Sequence, residues 1–217
     1  MKVCVFGATG RTGRRVVEEL VRCEIDVRAV VRDRDRASVL PAGVETVVAD
    51  VGDSAAVTAA IAGCSDLICA TGATPSLNAF GPFAVDYIGT KNLVDSAKAQ
   101  NLDRFVLVSS MCVSNFFHPL NLFWLVLFWK KQAEEYLATS GLTYTIVRPG
   151  GLKDEDDDRK IVMESADTLS EGSIPREKVA RVAVEALSQT DANNKIVEVV
   201  AREDAPDRPI SALFAGV

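Results

Sequence analysis

Residues 2–23 read KVCVFGATGRTGRRVVEELVRC. Val3–Phe6 is a continuous apolar run, glycines stand at 7, 10 and 13, and Val16, Val17, Leu20 and Val21 then recur at helical spacing. The order predicts a buried strand, a tight glycine turn and a helix N-terminus. Such a turn turns backbone N–H groups and the positive end of a helix dipole toward a pyrophosphate. Gly7 permits the turn, Gly10 permits close approach of phosphate, and Gly13 lets the helix lie against the strand. Thr9, Arg11 and Thr12 complete the cofactor-binding candidates of the turn. The plain alternative is a strand–turn–helix that holds no ligand, and the flanking apolar patterns argue against it.

Outward from that turn, strand-like and helix-like runs alternate to the end of the chain. Strands are predicted at Lys2–Phe6, Val27–Val31, Thr46–Ala49, Asp66–Cys69, Phe105–Ser109, Tyr144–Arg148 and Lys195–Val200. Helices are predicted over 11–23, 54–62, 82–99, 120–139 and 176–188. Most of the strands are unbroken Val/Ile/Leu runs, the mark of parallel strands covered on both faces. The fold class is therefore α/β: a single Rossmann-type, doubly wound, mainly parallel sheet of about seven strands with helices on both faces. Residues 1–217 are expected to form one NAD(P)-binding domain, with a small C-terminal substrate or partner lobe from about 150–180 and 200–217. Ligands in such sheets bind at the carboxyl ends of the strands, beside the first one.

Composition narrows the class. Of 217 residues, 48% are hydrophobic and 25% charged, enough for a large core. The formal charge of −6 argues against a nucleic-acid partner. Five scattered cysteines with no CxxC pair argue against a zinc site, and Cys4, Cys69 and Cys112 read as small core residues. The first strand begins at the N-terminus with no targeting segment before it, so a reducing, cytosol-like compartment is expected.

Two segments depart from the alternation. Asp154 to Asp158 is an acidic block, read as a solvated loop, with no EF-hand spacing for a cation. Phe116–Trp129 contains the unbroken apolar run Leu122–Trp129, too short to span a bilayer. Three readings stay open for it: the buried start of a helix, an interface with a protein partner, or a membrane-surface patch flanked by Lys130 and Lys131.

The second strand carries the nucleotide preference. NAD sites place an acidic residue at its end for the ribose hydroxyls. Here Arg32 stands at the tip, and Arg11 sits in the glycine turn. Two guanidinium groups suit a 2′-phosphate, so NADP is favoured over NAD. The competing reading gives Asp33 to the ribose and the arginines to solvent. Asp50 and Val51, closing the third strand, are placed beside the adenine, although Asp50 reads equally as a loop or cap residue. Ala70, Thr71 and Gly72 close the fourth strand and let the backbone pass near a ribose.

GATGRTG at 7–13, DYIGTKNLVDSA at 86–97, FVLVSSM at 105–111, WKKQAEEYL at 129–137 and GLTYTIVRPGG at 141–151 resemble the atypical short-chain dehydrogenase/reductase superfamily. More narrowly, NLFWLVLFWKKQAEEYL and KIVEVVAREDAP resemble the NADP-binding dehydrogenase-like domain of a chloroplast inner-envelope translocon subunit and its cyanobacterial relatives. That superfamily uses a Tyr-x-x-x-Lys pair and an upstream serine; the tyrosine exchanges a proton with substrate, and the lysine lowers its pKa and binds the nicotinamide ribose. Tyr87 and Lys91 have that spacing but stand before the fifth strand, the wrong side of it. The resemblance instead matches Lys130 to the family lysine, leaves Val126 where the tyrosine belongs, and puts Ser109 and Ser110 in the serine region. Ser110 and Lys130 are the catalytic candidates. The nicotinamide is expected near Ser109, Ser110, Lys130 and the backbone of Pro149, Gly150 and Gly151. His118, the one histidine, reads as a loop residue before Pro119 or a general acid.

Two functions follow. One is an NADP(H)-binding regulator or scaffold that senses redox state and associates with photosynthetic or membrane partners. The other is an NADPH-dependent reductase or isomerase of a small substrate. A cytoplasmic or plastid-stroma-like location, with peripheral membrane association, fits both.

Overall fold

A computed structural model describes residues 1–73 and 79–217. Among the described residues, ten strands and six α-helices follow in the order β1 (Lys2–Phe6), α1 (Arg11–Arg22), β2 (Asp26–Val31), β3 (Glu45–Val48), α2 (Ser54–Ile61), β4 (Asp66–Cys69), α3 (Thr90–Ala99), β5 (Arg104–Val108), α4 (Val126–Ala138), β6 (Tyr144–Pro149), β7 (Gly151–Lys153), β8 (Lys160–Ser165), β9 (Ser173–Pro175), α5 (Arg176–Glu185), β10 (Lys195–Arg202) and α6 (Ile210–Phe214). The main sheet has eight strands in the order β3-β2-β1-β4-β5-β6-β10-β8, parallel except for β8, which runs antiparallel to β10. β7 and β9 form a separate two-stranded parallel sheet. The winding reverses between β1 and β4, which opens a crevice at their carboxyl ends.

Successive side chains of a strand point to opposite faces. Val3 and Val5 accordingly enter the core under α1 and α5, with Val16, Val17, Leu20, Val179 and Val182. Cys4 and Phe6 enter the opposite core with Val57, Ile61, Leu93, Val94 and Leu137, from α2, α3 and α4. The continuous apolar strands of the sequence are thus buried on both faces, apart from the edge strand β3, where Val48 is exposed.

The structure differs from expectation in several elements: β7, β9 and α6 are additional. The main sheet gains β8, whose KIVMES sequence sends only Met163 fully into the core while the strand lies at the sheet edge. Half-buried edge strands leave no continuous apolar run to read. The helix expected from 82 begins as a π-helical stretch, Phe83–Gly89, before α3. The helix expected from 120 is a 3-10 turn, Pro119–Leu122, followed by left-handed Trp124 and Leu125, and α4 starts at Val126. Asn121 causes this break: its Oδ1 accepts from the N–H groups of Leu127 and Phe128, at 2.9 and 3.1 Å, and so caps α4 from outside the helix. Cys4 and Cys69 are buried as expected, but Cys112 is half-exposed, at positive φ, in the loop after β5.

Candidate functional site

The crevice at the switch point is built from four strand ends. β1 contributes Gly7, Thr9 and Gly10; β2 leads to Arg32; β3 leads to Asp50 and Val51; β4 leads to Ala70, Thr71 and Gly72. Gly7 adopts φ +78°, and a Cβ there would lie 2.6 Å from the Ala70 carbonyl. At Gly13 a Cβ would lie 2.1 Å from the Gly7 carbonyl, so only glycine lets α1 settle onto the turn. Gly10 is the N-cap of α1 and offers no side chain to its first amides. Those amides are left for an anion, as a dinucleotide pyrophosphate requires. Thr12 and Gly13 lie in the first turn of the helix rather than on the crevice wall.

The basic groups are arranged differently from the expectation. Arg11 leaves the crevice: its Nη1 donates to Asp154 Oδ2 at 2.9 Å. Arg36 lines the crevice with Arg32 instead. The 3-10 turn Arg34–Val39 carries Arg36 back over the β2 end, and Asp33 caps that turn by accepting from Asp35 N at 3.0 Å. One oxygen of Asp33 is therefore taken by the local backbone. The alternating RDRDR of 32–36 was the available signal for Arg36. Asp50 both lines the crevice and accepts from Gly52 N at 2.7 Å; the cap of α2 is Asp53.

A second, smaller cavity shares Thr71 with the crevice and is lined also by Asp86, Thr90, Ser109, Lys130 and Ala133. Lys130 Nζ lies 2.7 Å from Asp86 Oδ1, with the carboxylate almost fully enclosed. Burial alone disfavours the ammonium, but the charge of Asp86 and its hydrogen bond outweigh that and raise the Lys130 pKa. Asp86 Oδ2 also accepts from Ala73 N at 3.3 Å, which ties the segment after β4 to the pair. Ser109 is buried, and its Oγ has no hydrogen-bond partner among the described residues. A buried hydroxyl without a partner is costly unless a ligand completes it.

Ser109 rather than Ser110 lines this cavity. Pro149, Gly150 and Gly151 stand apart from both cavities, and the two glycine amides already donate to the carbonyls of Val199 and Gly172. Val126 occupies the first position of α4, one turn before Lys130, so no acid stands there. Tyr87 packs its ring 5.8 Å from Trp129, while Lys91 donates to Asp95 and Tyr136; the two do not form a catalytic pair. His118 Nδ1 accepts from Leu120 N, a loop-capping role.

Beneath the cavity, Arg148 is wholly enclosed and bonds Glu134 through Nε and Nη2, at 3.0 and 2.7 Å. Its Nη1 reaches Asp167 at 2.8 Å and Glu198 at 3.5 Å. This charge cluster locks α4, and with it Lys130, onto β6 and β10. The acidic block pairs with cations: Asp154 takes Arg11 and Arg176, Asp156 takes Lys178, and Asp157 takes Arg159. No group among the described residues has the makings of a metal site. Of the apolar segment, Phe116–Leu125 points mostly outward, with Phe117 at 92% and Leu122 at 84% exposure, whereas Leu127, in the first turn of α4, is buried. Among the described residues no helix is long and apolar enough to cross a membrane.

The NAD(P)H-binding family profile matches residues 7–190. The chain belongs to this family. As a member it is 46% identical to an uncharacterised chloroplastic protein of Arabidopsis thaliana, over all of this chain and 82% of that one. It is 37% identical to the chloroplastic protein TIC 62 of Pisum sativum, over 99% of this chain and 46% of TIC 62. This NAD(P)H-binding chain also superposes on a putative NAD-dependent epimerase/dehydratase of Bacillus halodurans with a TM-score of 0.88 at 27% identity, covering both chains completely. The dinucleotide-binding, Rossmann-type fold expected from the glycine turn is that of the family.

Proposed function

We propose that the chain binds NADP(H) in preference to NAD(H), and that its reaction end serves hydride transfer without a proton from a protein acid. Arg32 and Arg36 present two guanidinium forks where the adenine ribose would lie, and Asp33 does not line the crevice. NADPH, when bound, supplies a hydride. The residues supply the rest: Lys130, steadied by Asp86, offers a fixed positive charge, and Ser109 offers a hydroxyl. The partnerless Ser109 Oγ beside that ion pair is the observation that carries the reading. Calorimetric titration with NADPH and NADH tests the preference; equal affinities overturn it. NADPH consumption over a carbonyl and quinone panel tests the chemistry. Lys130→Ala lowers turnover strongly, whereas Lys91→Met leaves it unchanged.

A second reading rests on the outward apolar segment. Phe117, Leu122 and Phe123 form an exposed apolar surface suited to a photosynthetic-membrane or protein partner, whose capture would respond to nucleotide. The chloroplastic relatives favour a plastid-type setting for it. Flotation with thylakoid-lipid vesicles tests this: Phe117→Ser/Phe123→Ser abolishes co-flotation, and unchanged flotation removes the reading.

A further inference from the structure

Two thiols outside the crevice lie together where α2 hands the chain to β4. Cys4, on β1, is wholly enclosed; Cys64, in the turn after α2, is half-buried and packs against the same core. Their surroundings converge on the last turn of α2. Cys4 Sγ donates to the Ala60 carbonyl at 3.7 Å, and Arg28 Nη1 donates to the same oxygen at 2.9 Å and to the Ala62 carbonyl at 2.7 Å. The chain then turns through Gly63, at φ +78°, and brings the Cys64 sulfur within hydrogen-bond reach of the Cys4 thiol. A Cβ on Gly63 would meet nothing within 4 Å, so this turn has open space in which to shift.

The two sulfurs are unequal. The hydrogen bond from Cys4 favours a thiolate at Cys64, and against the effect of burial Arg28 and Lys2 help to bring its pKa down to about 7, although Glu45 opposes them. Glu45 is itself paired with Arg28 at 2.8 Å and Lys2 at 2.5 Å. The same contact, together with burial, pushes the Cys4 thiol up, so Cys4 keeps its proton.

We propose that Cys64 and Cys4 form a reversible, peroxide-responsive thiol pair, in which half-buried Cys64 is oxidised and enclosed Cys4 closes a disulfide onto it. The Cys64 thiolate attacks one oxygen of a hydroperoxide; the S–O bond forms, the O–O bond breaks, and the departing hydroxide takes up the proton Cys64 had shed. Cys64 is then a sulfenic acid. The Cys4 sulfur attacks it, the S–S bond forms, the S–O bond breaks, and the Cys4 proton leaves with hydroxide as a second water. Both electrons lost by the sulfurs reduce the peroxide. Responsive cysteines combine thiolate character, access and a neighbouring second thiol, and these two residues divide those properties between them. In a reducing compartment such a disulfide is transient, as a sensor requires.

The test treats the reduced full chain with hydrogen peroxide at pH 7.5 and maps it by mass spectrometry without reduction. Trypsin together with Asp-N, which cuts before Asp66, separates Cys64 from Cys69. A linked Cys4–Cys64 peptide that disappears after dithiothreitol is expected. Peroxide consumption should fall about tenfold in Cys64→Ser, because at pH 7.5 an ordinary thiol is only about a tenth thiolate. In Cys4→Ala, Cys64 should stop at the sulfenic acid and take up dimedone. Circular dichroism reports folding; where Cys4→Ala does not fold, the wild-type peptide map and Cys64→Ser carry the test. No oxidation at Cys64, oxidation of Cys64 to sulfinic or sulfonic acid with no linked peptide, a link only between two chains, or consumption unchanged in Cys64→Ser overturns the proposal.

Discussion

Lys130 Nζ and Asp86 Oδ1 stand 2.7 Å apart, and this contact joins the helix after β5 to the segment before it across the end of the sheet. Lys130 is held by this carboxylate, and Val126 stands one turn before it on α4. Removing one member of an enclosed ion pair leaves the other uncompensated. Asp86→Asn should therefore lower unfolding free energy by about 2–4 kcal/mol in urea. The Lys130 pKa is raised in the folded state, so the stabilisation is present at neutral pH and lost as pH climbs through the folded value, above the usual lysine range. Urea midpoints of the wild-type chain should fall at strongly alkaline pH more than those of Asp86→Asn.

The arginines at the β2 end predict cofactor choice. Arg32→Ala/Arg36→Ala should weaken NADPH binding by about 10- to 100-fold, the loss of two charge-assisted phosphate contacts. NADH binding should change little. Calorimetry on the double variant reads both. Arg11→Ala, which breaks an exposed pair with Asp154, should cost under about 1 kcal/mol of stability.

Glu134→Ala strands the wholly enclosed Arg148 guanidinium. A loss of about 3–5 kcal/mol is expected, with Lys130 displaced because α4 is no longer tied to β6. Asp167→Asn touches the same arginine from a half-exposed position and should cost under about 1 kcal/mol. Thermal and urea unfolding of the two variants should separate clearly.

Gly13→Ala drives a methyl group to 2.1 Å from the Gly7 carbonyl, so the turn and α1 must move apart. Overpacking of this kind costs about 1–3 kcal/mol. Since the same shift misdirects the free amides of α1, NADPH binding should fall by more than stability does, as a titration of the folded variant would reveal.

Cys64 should be the reactive thiol. A hydrogen bond with the Cys4 thiol, aided by the nearby Arg28 and Lys2, brings its pKa down to about 7. Burial pushes the Cys23 thiol up, although Cys23 lies on the surface. Iodoacetamide at pH 7.5 should label Cys64 before Cys23, with the Cys64 rate rising through pH 7 as the thiolate forms. Peptide mapping by mass spectrometry checks the order.

Much of this site is local in origin. The strand, the glycine turn and α1 are consecutive residues, and each requirement is met by its neighbours: Gly13 must be small because Gly7, six residues earlier, lies beneath it. The doubly wound order follows from continuous apolar runs between amphipathic helices, a property of residue order alone.

Tertiary contacts decided the rest. Arg11 stands in the glycine turn and Arg36 beyond β2, yet Asp154, 143 residues away, draws Arg11 out, and the 3-10 turn brings Arg36 in. Ser109 and Ser110 are neighbours, and the end of β5 turns one inward and the other away. Asp86 pairs with Lys130, and Asn121 moves the start of α4 by capping it from the preceding loop. The strand and helix pattern and the glycine turn were legible because short-range sterics and burial dictate them. Which charge faces the ligand was not, because ion pairs are chosen by whatever partner the completed fold brings within a few ångströms.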